Sequence, residues 1–317
     1  AAVTGTVADL SSLSGIDLSV NADTRQLADV VALAGVEVPV DLPPTLRAEA
    51  AISGSMEALA VSSFQVGVED DGVRATATGE IKDVMALEGL MADVAVEAGS
   101  VAAFSKYAKT ELPDLGPLAA SATVASSGET FSLSDIKADL SAQGIQAAVE
   151  GSLADAVAVK GLDARVKVNL ASLAVLNELT GQELPDSGPL TLGGSLVSEE
   201  GLDAPGKVTG TLSAEGVKAR IDGTIQDLLA AQGIVLVLDV EADSVTQVAS
   251  LAGQDVQHDE PLKLEGNIYL GTNSYRADKL LIQLGGNKLV GEAEFMPPAK
   301  DGDRPLLTGD FHLGHVS

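Results

Sequence analysis

The residue types that could carry chemistry in this sequence are three histidines, His258, His312 and His315, and several clusters of acids. His312 and His315 are three positions apart in a segment with strand-like alternation, so their side chains should point to opposite faces. We therefore expect no shared metal site there and interpret the histidines as surface residues.

The acidic clusters supply carboxylate oxygens without the spacing that metal binding or acid–base catalysis needs. The stretches EDDG and DGDR (residues 69–72 and 301–304) lack the regularly spaced acids of a calcium-binding loop. Glu199 and Glu200 are direct neighbours, and neighbouring side chains on a strand point apart, whereas the two carboxylates of a glycosidase flank one bond. We interpret these clusters as solvated turns.

No recognised catalytic arrangement is present in the sequence. It contains no Gly-x-Ser-x-Gly elbow and no P-loop, and no histidine stands in a pattern typical of a catalytic triad. We expect a protein that is not an enzyme, with no catalytic residues, no metal and no cofactor.

Composition narrows the function classes further. The 317 residues carry 46 acids against 19 bases, a net charge of −27, which disfavours nucleic acid and anionic lipid headgroups as partners. Aromatic residues make up 3% and cysteine is absent, so a core must consist of aliphatic side chains without disulfides. No apolar run is long enough to span a membrane, and the chain begins inside a strand-like pattern, so we expect a fragment of a longer protein.

The strongest pattern is an internal repeat of about 72 residues. Gly5, Gly79, Gly151 and Gly223 are separated by 74, 72 and 72 residues, and Gly291 begins a shorter last copy. Prolines follow the same step, as in the related stretches LPDLGPL and LPDSGPL. We predict a single repeat array over 1–317, with approximate units 1–71, 72–143, 144–215, 216–285 and a partial unit 286–317.

The residue pattern within each unit predicts the order strand, strand, helix, strand, strand. Alternation of apolar and polar residues marks the strands, as where Val217 and Ile221 alternate with charged neighbours. The parity of the apolar residues changes within the fourth strand of the first two units, which predicts a β-bulge in each. The tight glycine turns favour antiparallel hairpins.

A spacing of three residues marks the helix of each unit. In the third unit Leu173, Leu176 and Leu179 recur at this spacing and are expected to pack on the sheet, the alternative being the rim of a groove. The counterparts in the first unit are at positions 27, 30 and 33. Ser100, Ser172 and Ser244 precede three of these helices as predicted N-caps.

The ends of these helices are also predicted. Ser244 and Gln247 have the spacing of a capping box, in which each side chain bonds the backbone N–H of the other residue. Pro185 is expected to end the third helix, because proline cannot continue the hydrogen-bond ladder.

One short helix cannot cover four strands. Four strands present roughly 600 Å² of sheet face, whereas a 12-residue helix covers roughly 180 Å². The uncovered apolar surface implies a partner, a ligand or closure of the sheet on itself. We expect a long twisted antiparallel sheet curved into a groove, the alternative being a sandwich or flattened barrel.

Two stretches of the sequence resemble a known family. The stretch VEGSLADAVAVKGLDARVKVNLASLAVLNELTGQELPDSGPLTLGGSL (149–196) and the ending DRPLLTGDFHLGHVS (303–317) resemble the AsmA-like family, the AsmA/TamB-type proteins of the Gram-negative envelope. The resemblance implies a repeating β-groove, a periplasmic body and an inner-membrane anchor, here expected in a preceding part of the chain. It also implies phospholipid movement between inner and outer membrane, with a possible partner at the outer membrane.

We therefore expect acyl chains of phospholipid, or of another acyl lipid, to lie on the inward apolar residues of the groove. The predicted groove residues are Val149, Leu153, Leu162, Val166, Val217, Ile221, Ile225 and Leu236. Two alternatives remain open: a structural or assembly factor for outer-membrane biogenesis with a self-packed sheet, and a surface adhesin-like β protein.

Overall fold

The structure is a computed structural model and describes residues 1–12, 14–24, 45–55, 57–86, 88–128, 130–271, 274–297 and 305–315. These residues are mainly β, in one antiparallel sheet of 18 strands that is not closed, with short helical segments. The chain divides into two compact units, unit one with residues 1–143 and 148–158 and unit two with 144–147 and 159–317.

Unit one is a meander in which each strand pairs antiparallel with the next. A 3-10 turn, Val101–Phe104, leads into α1, Ser105–Ala108, between the sixth and seventh strands. Its strands are β1 (Ala2–Asp9), β2 (Ser14–Thr24), β3 (Thr45–Ser55), β4 (Leu59–Asp70), β5 (Val73–Ile81), β6 (Met91–Ala98), β7 (Leu118–Ser127), β8 (Thr130–Ala142) and most of β9 (Ile145–Asp155).

Unit two continues as the same kind of antiparallel meander. A 3-10 turn, Leu173–Leu176, leads into α2, Asn177–Thr180, and α3 is Val245–Leu251. Its strands are β10 (Lys160–Leu170), β11 (Leu190–Ser198), β12 (Gly206–Ala214), β13 (Val217–Ile225), β14 (Ile234–Ala242), β15 (Leu262–Leu270), β16 (Tyr275–Leu284), β17 (Asn287–Met296) and β18 (Leu306–His315).

The strand register gives the sheet of unit two an apolar and a polar face. Ile221 on β13 is opposite Gly210 on β12 and Leu238 on β14. The next residue along β13, Arg220, is opposite Asp239 on the other face. Because directly opposed residues share a face, the alternation read from the sequence places the apolar side chains together across neighbouring strands.

The helical segments begin at the predicted N-caps. Ser100, Ser172 and Ser244 all have extended backbone angles, and each hydroxyl accepts a bond from a backbone N–H two or three residues later. The capping box at Ser244 is half formed, because the side-chain oxygen of Gln247 has no hydrogen-bond partner among the described residues. The helix predicted in the first 72-residue repeat, at positions 27, 30 and 33, lies outside the described residues.

The end of α2 differs from the prediction that Pro185 stops it. The helix ends at Gly181, which adopts a left-handed conformation (φ 64°) while its N–H donates to the carbonyl of Asn177 at 2.9 Å. Lys109 takes the same left-handed position (φ 53°) at the end of α1. The helix therefore ends in an αL C-cap before the chain reaches Pro185, and proline is not what terminates it.

The three-residue spacing matches a 3-10 turn, which has three residues per turn, better than an α-helix. Leu173 and Leu176 lie in the 3-10 turn and are half-buried, in keeping with the prediction that they pack on the sheet. Leu179 follows in α2 and is exposed, so the prediction that it packs with them is wrong.

Both predicted bulges are present. The register shifts between Val61 and Phe64 in β4, and opposite Thr123 in β8, where Asp135 has φ 51°. Two further irregularities were not predicted, one at Gly15 in β2 and one around Lys279 (φ 52°) in β16. The β16 bulge has a signal in the sequence, since the apolar positions of that strand change parity after Ala277.

The small core of unit two lies at the strand ends next to the helical segments. Leu170 ends β10 just before the 3-10 turn and is 2% exposed, and Ala242 ends β14 just before α3 and is also buried. Leu190 and Val217, at the same ends of β11 and β13, are buried too. The helical segments thus cover one end of the apolar face.

Candidate functional site

The centre of the apolar face in unit two is open. Between the buried strand ends, Ile221 and Leu238 are half-buried, and Val166 on β10 is 42% exposed. Glycines share this central row, as Gly210 does on β12. An aliphatic surface of this kind, continuous over several strands, is a surface for which a ligand or partner is expected.

The predicted groove residues occupy three different environments. Leu162, Val166, Val217, Ile221, Ile225 and Leu236 share the apolar face of unit two, and Val149 and Leu153 lie in β9 in unit one. Val149 and Val166 are exposed, whereas Leu153, Leu162, Ile221, Ile225 and Leu236 are half-buried. Val217 is 3% exposed, so it is a core residue rather than a contact surface for a ligand.

The strand contacts of unit two agree with an uncovered sheet. Within unit two, the substantial strand contacts are those between sequence neighbours. The helical segments therefore leave the centre of the sheet in contact with solvent.

The opposite face carries charged side chains, and several of them form ion pairs. Lys263 Nζ is 3.3 Å from Glu241 on the neighbouring strand and 2.9 Å from Glu265, and hydrogen bonds to these carboxylates raise the pKa of Lys263. Shallow depressions on unit two, such as the one lined by Thr211, Arg220 and neighbouring residues, lie mainly over this face. Lys263 thus pairs both across to the neighbouring strand, with Glu241, and along its own strand, with Glu265.

The EDDG turn is more than a solvated turn. Asp70 accepts hydrogen bonds from Lys106 Nζ at 2.5 Å and Tyr107 Oη at 2.7 Å, and these two bonds lower its pKa. The bond to Asp70 raises the pKa of Lys106, and burial followed by the same carboxylate raises that of Tyr107. This cluster ties α1 to the β4–β5 turn and suits anchoring rather than proton transfer, because the carboxylate is held ionised.

Sequence reasoning missed this cluster because its partners are 36 and 37 residues apart. No local signal marks such a pairing; only the fold brings the turn and the helix together.

The histidines have weak acidic neighbours and no metal-like grouping. His258 Nε2 is 3.5 Å from Glu260, and His312 Nε2 is 3.8 Å from Asp310. Within the described ranges, no group of three or more His, Asp or Glu side chains could hold a metal ion. The side chain of His315 and the DGDR stretch lie outside the described residues.

Among the residues that the structure describes, no helix is both long and apolar enough to cross a membrane. Comparison of the chain with protein-family models, curated proteins and solved structures finds no match in any of the three.

Proposed function

We propose that this chain is a segment of a bridge-like lipid transfer protein whose apolar sheet face binds acyl chains. The observation that carries the proposal is the open centre of the apolar face in unit two, where Val166, Ile221 and Leu238 share one face without a covering layer. Lipid would lie on this surface and slide along it, with no covalent change.

The energetics favour an acyl occupant. Each methylene fully removed from water contributes about 0.8 kcal/mol, so even partial cover of a long acyl chain yields several kcal/mol. From β10 to β15 the apolar floor consists mainly of Ala, Val, Leu, Ile and Gly, which offers flat contact; Tyr275 and Phe295 stack on the same face farther along, at β16 and β17. The polar face carries charged side chains, several of them in ion pairs, which is why we place the lipid on the other side.

The 72-residue structural repeat is part of the same proposal. We take the 72-residue unit as the structural repeat, because Ser100, Ser172 and Ser244 are 72 residues apart and cap their helices alike. The turn glycines Gly161 and Gly233 have the same step and nearly the same φ, 65° and 63°. Each 72-residue repeat, with its four strands, would extend the lipid path by roughly 19 Å.

The resemblance to AsmA-like proteins supplies the cellular part of the proposal. It supports a periplasmic location, an inner-membrane anchor in the full-length protein and phospholipid movement toward the outer membrane. The curvature of the sheet into a groove belongs to the same proposal.

Lipid extraction tests the proposal directly. Purified protein should release phospholipid detectable by mass spectrometry, and Ile221→Asp should lower the recovered amount several-fold without changing the circular dichroism spectrum. The matched control is Thr211→Asp, on the polar face of the adjacent strand, which should retain the lipid. Recovery of no lipid from the unaltered protein, or equal recovery from both variants, contradicts the proposal.

An assembly role for the strand edge is the second candidate. β17 is the one described partner of β18, and on β18 the side chain of Leu313 is 81% exposed. Unpaired strand edges accept further strands. If this role dominates, Leu313→Lys should impair function more than Ile221→Asp does.

A further inference from the structure

We propose that the turn after the first strand of each 72-residue repeat docks on a zwitterionic bilayer by inserting one exposed apolar side chain. In unit one these side chains are Leu10, Met85 and Val157, which follow β1, β5 and β9, and in unit two Leu229 follows β13. We call these four the tip residues. The proposal rests on the proposed function, because it names the surface from which the apolar face would take up its lipid.

The tip residues are among the most exposed large apolar side chains of the described residues. All four are between 73% and 78% exposed. Each lies one or two residues after an aspartate, and these four aspartates are 74, 72 and 72 residues apart. A single exposed apolar residue needs no explanation, whereas the same exposure at the same place in four copies indicates a surface with an occupant.

The tip residues of unit one lie at one edge of its sheet. β1 and β5 run in the same direction, because four antiparallel steps separate them, so the turns that follow them lie at the same edge. These two turns are roughly 19 Å apart. The turn after β9 joins this edge, since the N–H of Ala156 donates to the carbonyl of Phe131 at the start of β8, at 2.6 Å.

The loop that carries Met85 has its backbone donors bonded within the protein. The Asp83 carboxylate accepts from the N–H groups of Met85 and Ala86 at 2.9 and 3.1 Å. The N–H of Val84 donates to the first carbonyl of β4 at 2.8 Å, and Asp83 and Glu88 exchange two backbone bonds of 3.0 Å. A backbone N–H that enters an apolar medium is costly unless it is already bonded, so this loop is suited to the interface of a bilayer.

The other three loops have the same kind of support. In each, the aspartate carboxylate accepts from one or two backbone N–H groups that lie two or three residues farther along. The pairs are Asp9 with Ser11 and Ser12, Asp155 with Val157 and Ala158, and Asp227 with Ala230. The first residue of each loop thus fixes its shape, and the tip residue is left to solvent.

Charge and spacing favour a zwitterionic bilayer over other occupants. The edge of unit one carries the exposed acids Asp9, Glu57 and Glu88 beside the exposed Lys82. An anionic bilayer, or the same edge of a second copy, would meet these acids with like charge. A stable protein interface buries about 800 Å² on each partner, whereas the tip residues are single side chains on separate loops. The fluid interface of a bilayer accepts such separated apolar insertions.

Leu228 connects the loop of unit two to the apolar face. A Cβ atom placed on Gly206 would stand 2.9 Å from Leu228 Cδ1, so Leu228 packs over the start of β12. Gly206 is opposite Ile225 on the apolar face. The loop therefore presents one leucine to the end of the apolar face and the next, Leu229, to solvent. A bilayer that holds Leu229 is adjacent to the surface on which we place the lipid.

A single tryptophan tests the contact, because the chain contains no tryptophan of its own. The whole chain with Met85→Trp is mixed with phosphatidylcholine vesicles, with and without brominated acyl chains. We expect a blue shift of the emission and quenching by the brominated lipid. Val237→Trp, at an exposed position on the polar face of β14, should show several-fold less of both. No shift at position 85, or an equal shift at position 237, overturns the inference.

Polar substitutions measure the contribution of the tip residues. Leu10→Ser with Met85→Ser should lower the fraction of protein that floats with phosphatidylcholine vesicles several-fold. The control pair, Val237→Ser with Val290→Ser, removes two exposed apolar side chains from the polar face and should leave flotation unchanged. Equal losses in the two pairs overturn the inference. Thermal melting accompanies each pair, and should a serine pair unfold, the alanine pair at the same positions replaces it.

The remaining comparisons separate the bilayer from other occupants. Replacing part of the phosphatidylcholine with phosphatidylglycerol should weaken flotation of the unaltered protein at low salt, and stronger flotation would overturn the zwitterionic preference. A blue shift of Met85→Trp that rises with protein concentration without vesicles would assign the tip residues to a second copy and overturn the inference.

Lipid recovery distinguishes this inference from the proposed function. Phospholipid recovered from the unaltered protein, with no flotation on vesicles, overturns the docking surface and leaves the proposed function intact. Flotation without any recovered phospholipid supports the docking surface and contradicts the proposed function.

Discussion

The side chain of Ile221 lies over Gly210 on the neighbouring strand. A Cβ atom placed on Gly210 would stand 2.9 Å from Ile221 Cγ1, closer than ordinary van der Waals contact. The same relationship joins Leu280 and Gly266, where the corresponding distance is 2.7 Å. Large aliphatic side chains of the apolar face thus spread over glycines on adjacent strands, which explains why glycine occurs inside strands that otherwise read as aliphatic.

Gly210→Ala should destabilise the protein by about 1 to 2 kcal/mol, because the added methyl group forces Ile221 out of its position. Urea denaturation measures the change in the free energy of unfolding. Gly67→Ala is the matched control in β4, where an added Cβ meets nothing within 4 Å, so no loss of stability is expected there. Equal effects at the two positions would show that Ile221 does not rest on Gly210.

Gly223→Ala should cost more than Gly210→Ala, about 3 kcal/mol or more. A Cβ there would stand 2.1 Å from the carbonyl oxygen of Val235, and a backbone oxygen cannot move aside as a side chain can. The variant should also lose more of its strand signal in circular dichroism than Gly210→Ala does. A stability near that of the unaltered protein would mean that β13 and β14 are farther apart than described.

The C-caps of α1 and α2 allow a reciprocal pair of substitutions. Gly181→Ala should destabilise by about 1 kcal/mol, since a side chain disfavours the left-handed conformation. Lys109→Gly should stabilise by a similar or smaller amount, because Lys109 holds that conformation with a side chain. Thermal melting of both variants checks the pair. Pro185→Ala should destabilise α2 less than Gly181→Ala does. A larger effect of Pro185→Ala would mean that the proline terminates the helix after all.

Ser172→Ala should cost about 1 kcal/mol by removing the N-cap bond. The Ser172 hydroxyl accepts from the backbone N–H of Ala174 at 3.1 Å, and alanine leaves that donor without its partner. Ser213→Ala, at an exposed polar-face position of β12, serves as the control in chemical denaturation. If the cap contributes to stability, Ser172→Ala should lower the free energy of unfolding and Ser213→Ala should not.

Stability at acid pH should depend on Asp70. Because the hydrogen bonds from Lys106 and Tyr107 lower its pKa below 3.8, its contribution is present above that value and is lost as pH falls through the lower folded-state pKa. Lys106 behaves in the opposite sense: its raised pKa makes its contribution complete below 10.5 and lost at still higher pH.

Asp70→Asn should therefore lower the melting temperature at pH 7 and flatten its decline below about pH 4. Thermal melts between pH 2 and pH 7 measure this, with Asp71→Asn, the next residue in the turn, as the comparison. A profile for Asp70→Asn that falls as steeply as the unaltered one would remove the Lys106–Asp70–Tyr107 cluster from the account of acid stability.

Much of the local structure could be predicted from the order of residues alone. The two-residue alternation places Ile221 and Arg220 on opposite faces, and the serines before three of the apolar triplets begin the helical segments. Parity changes marked the bulges of β4 and β8. These features follow from periods and hydrogen bonds within a few residues, which are written in the local order of side chains.

The burial and the partners of individual residues within a local pattern depend on tertiary packing. Val166 and Val217 follow the same alternation, yet one is open and the other is buried, because the helical segments cover only one end of the face. Asp70 finds its partners 36 residues away, and Gly223 is required by the carbonyl of Val235 on the next strand. The covering of a face, long-range pairing and the close approach of two backbones all depend on how segments that are distant in sequence pack together. The spacing of residues within one segment does not predict them.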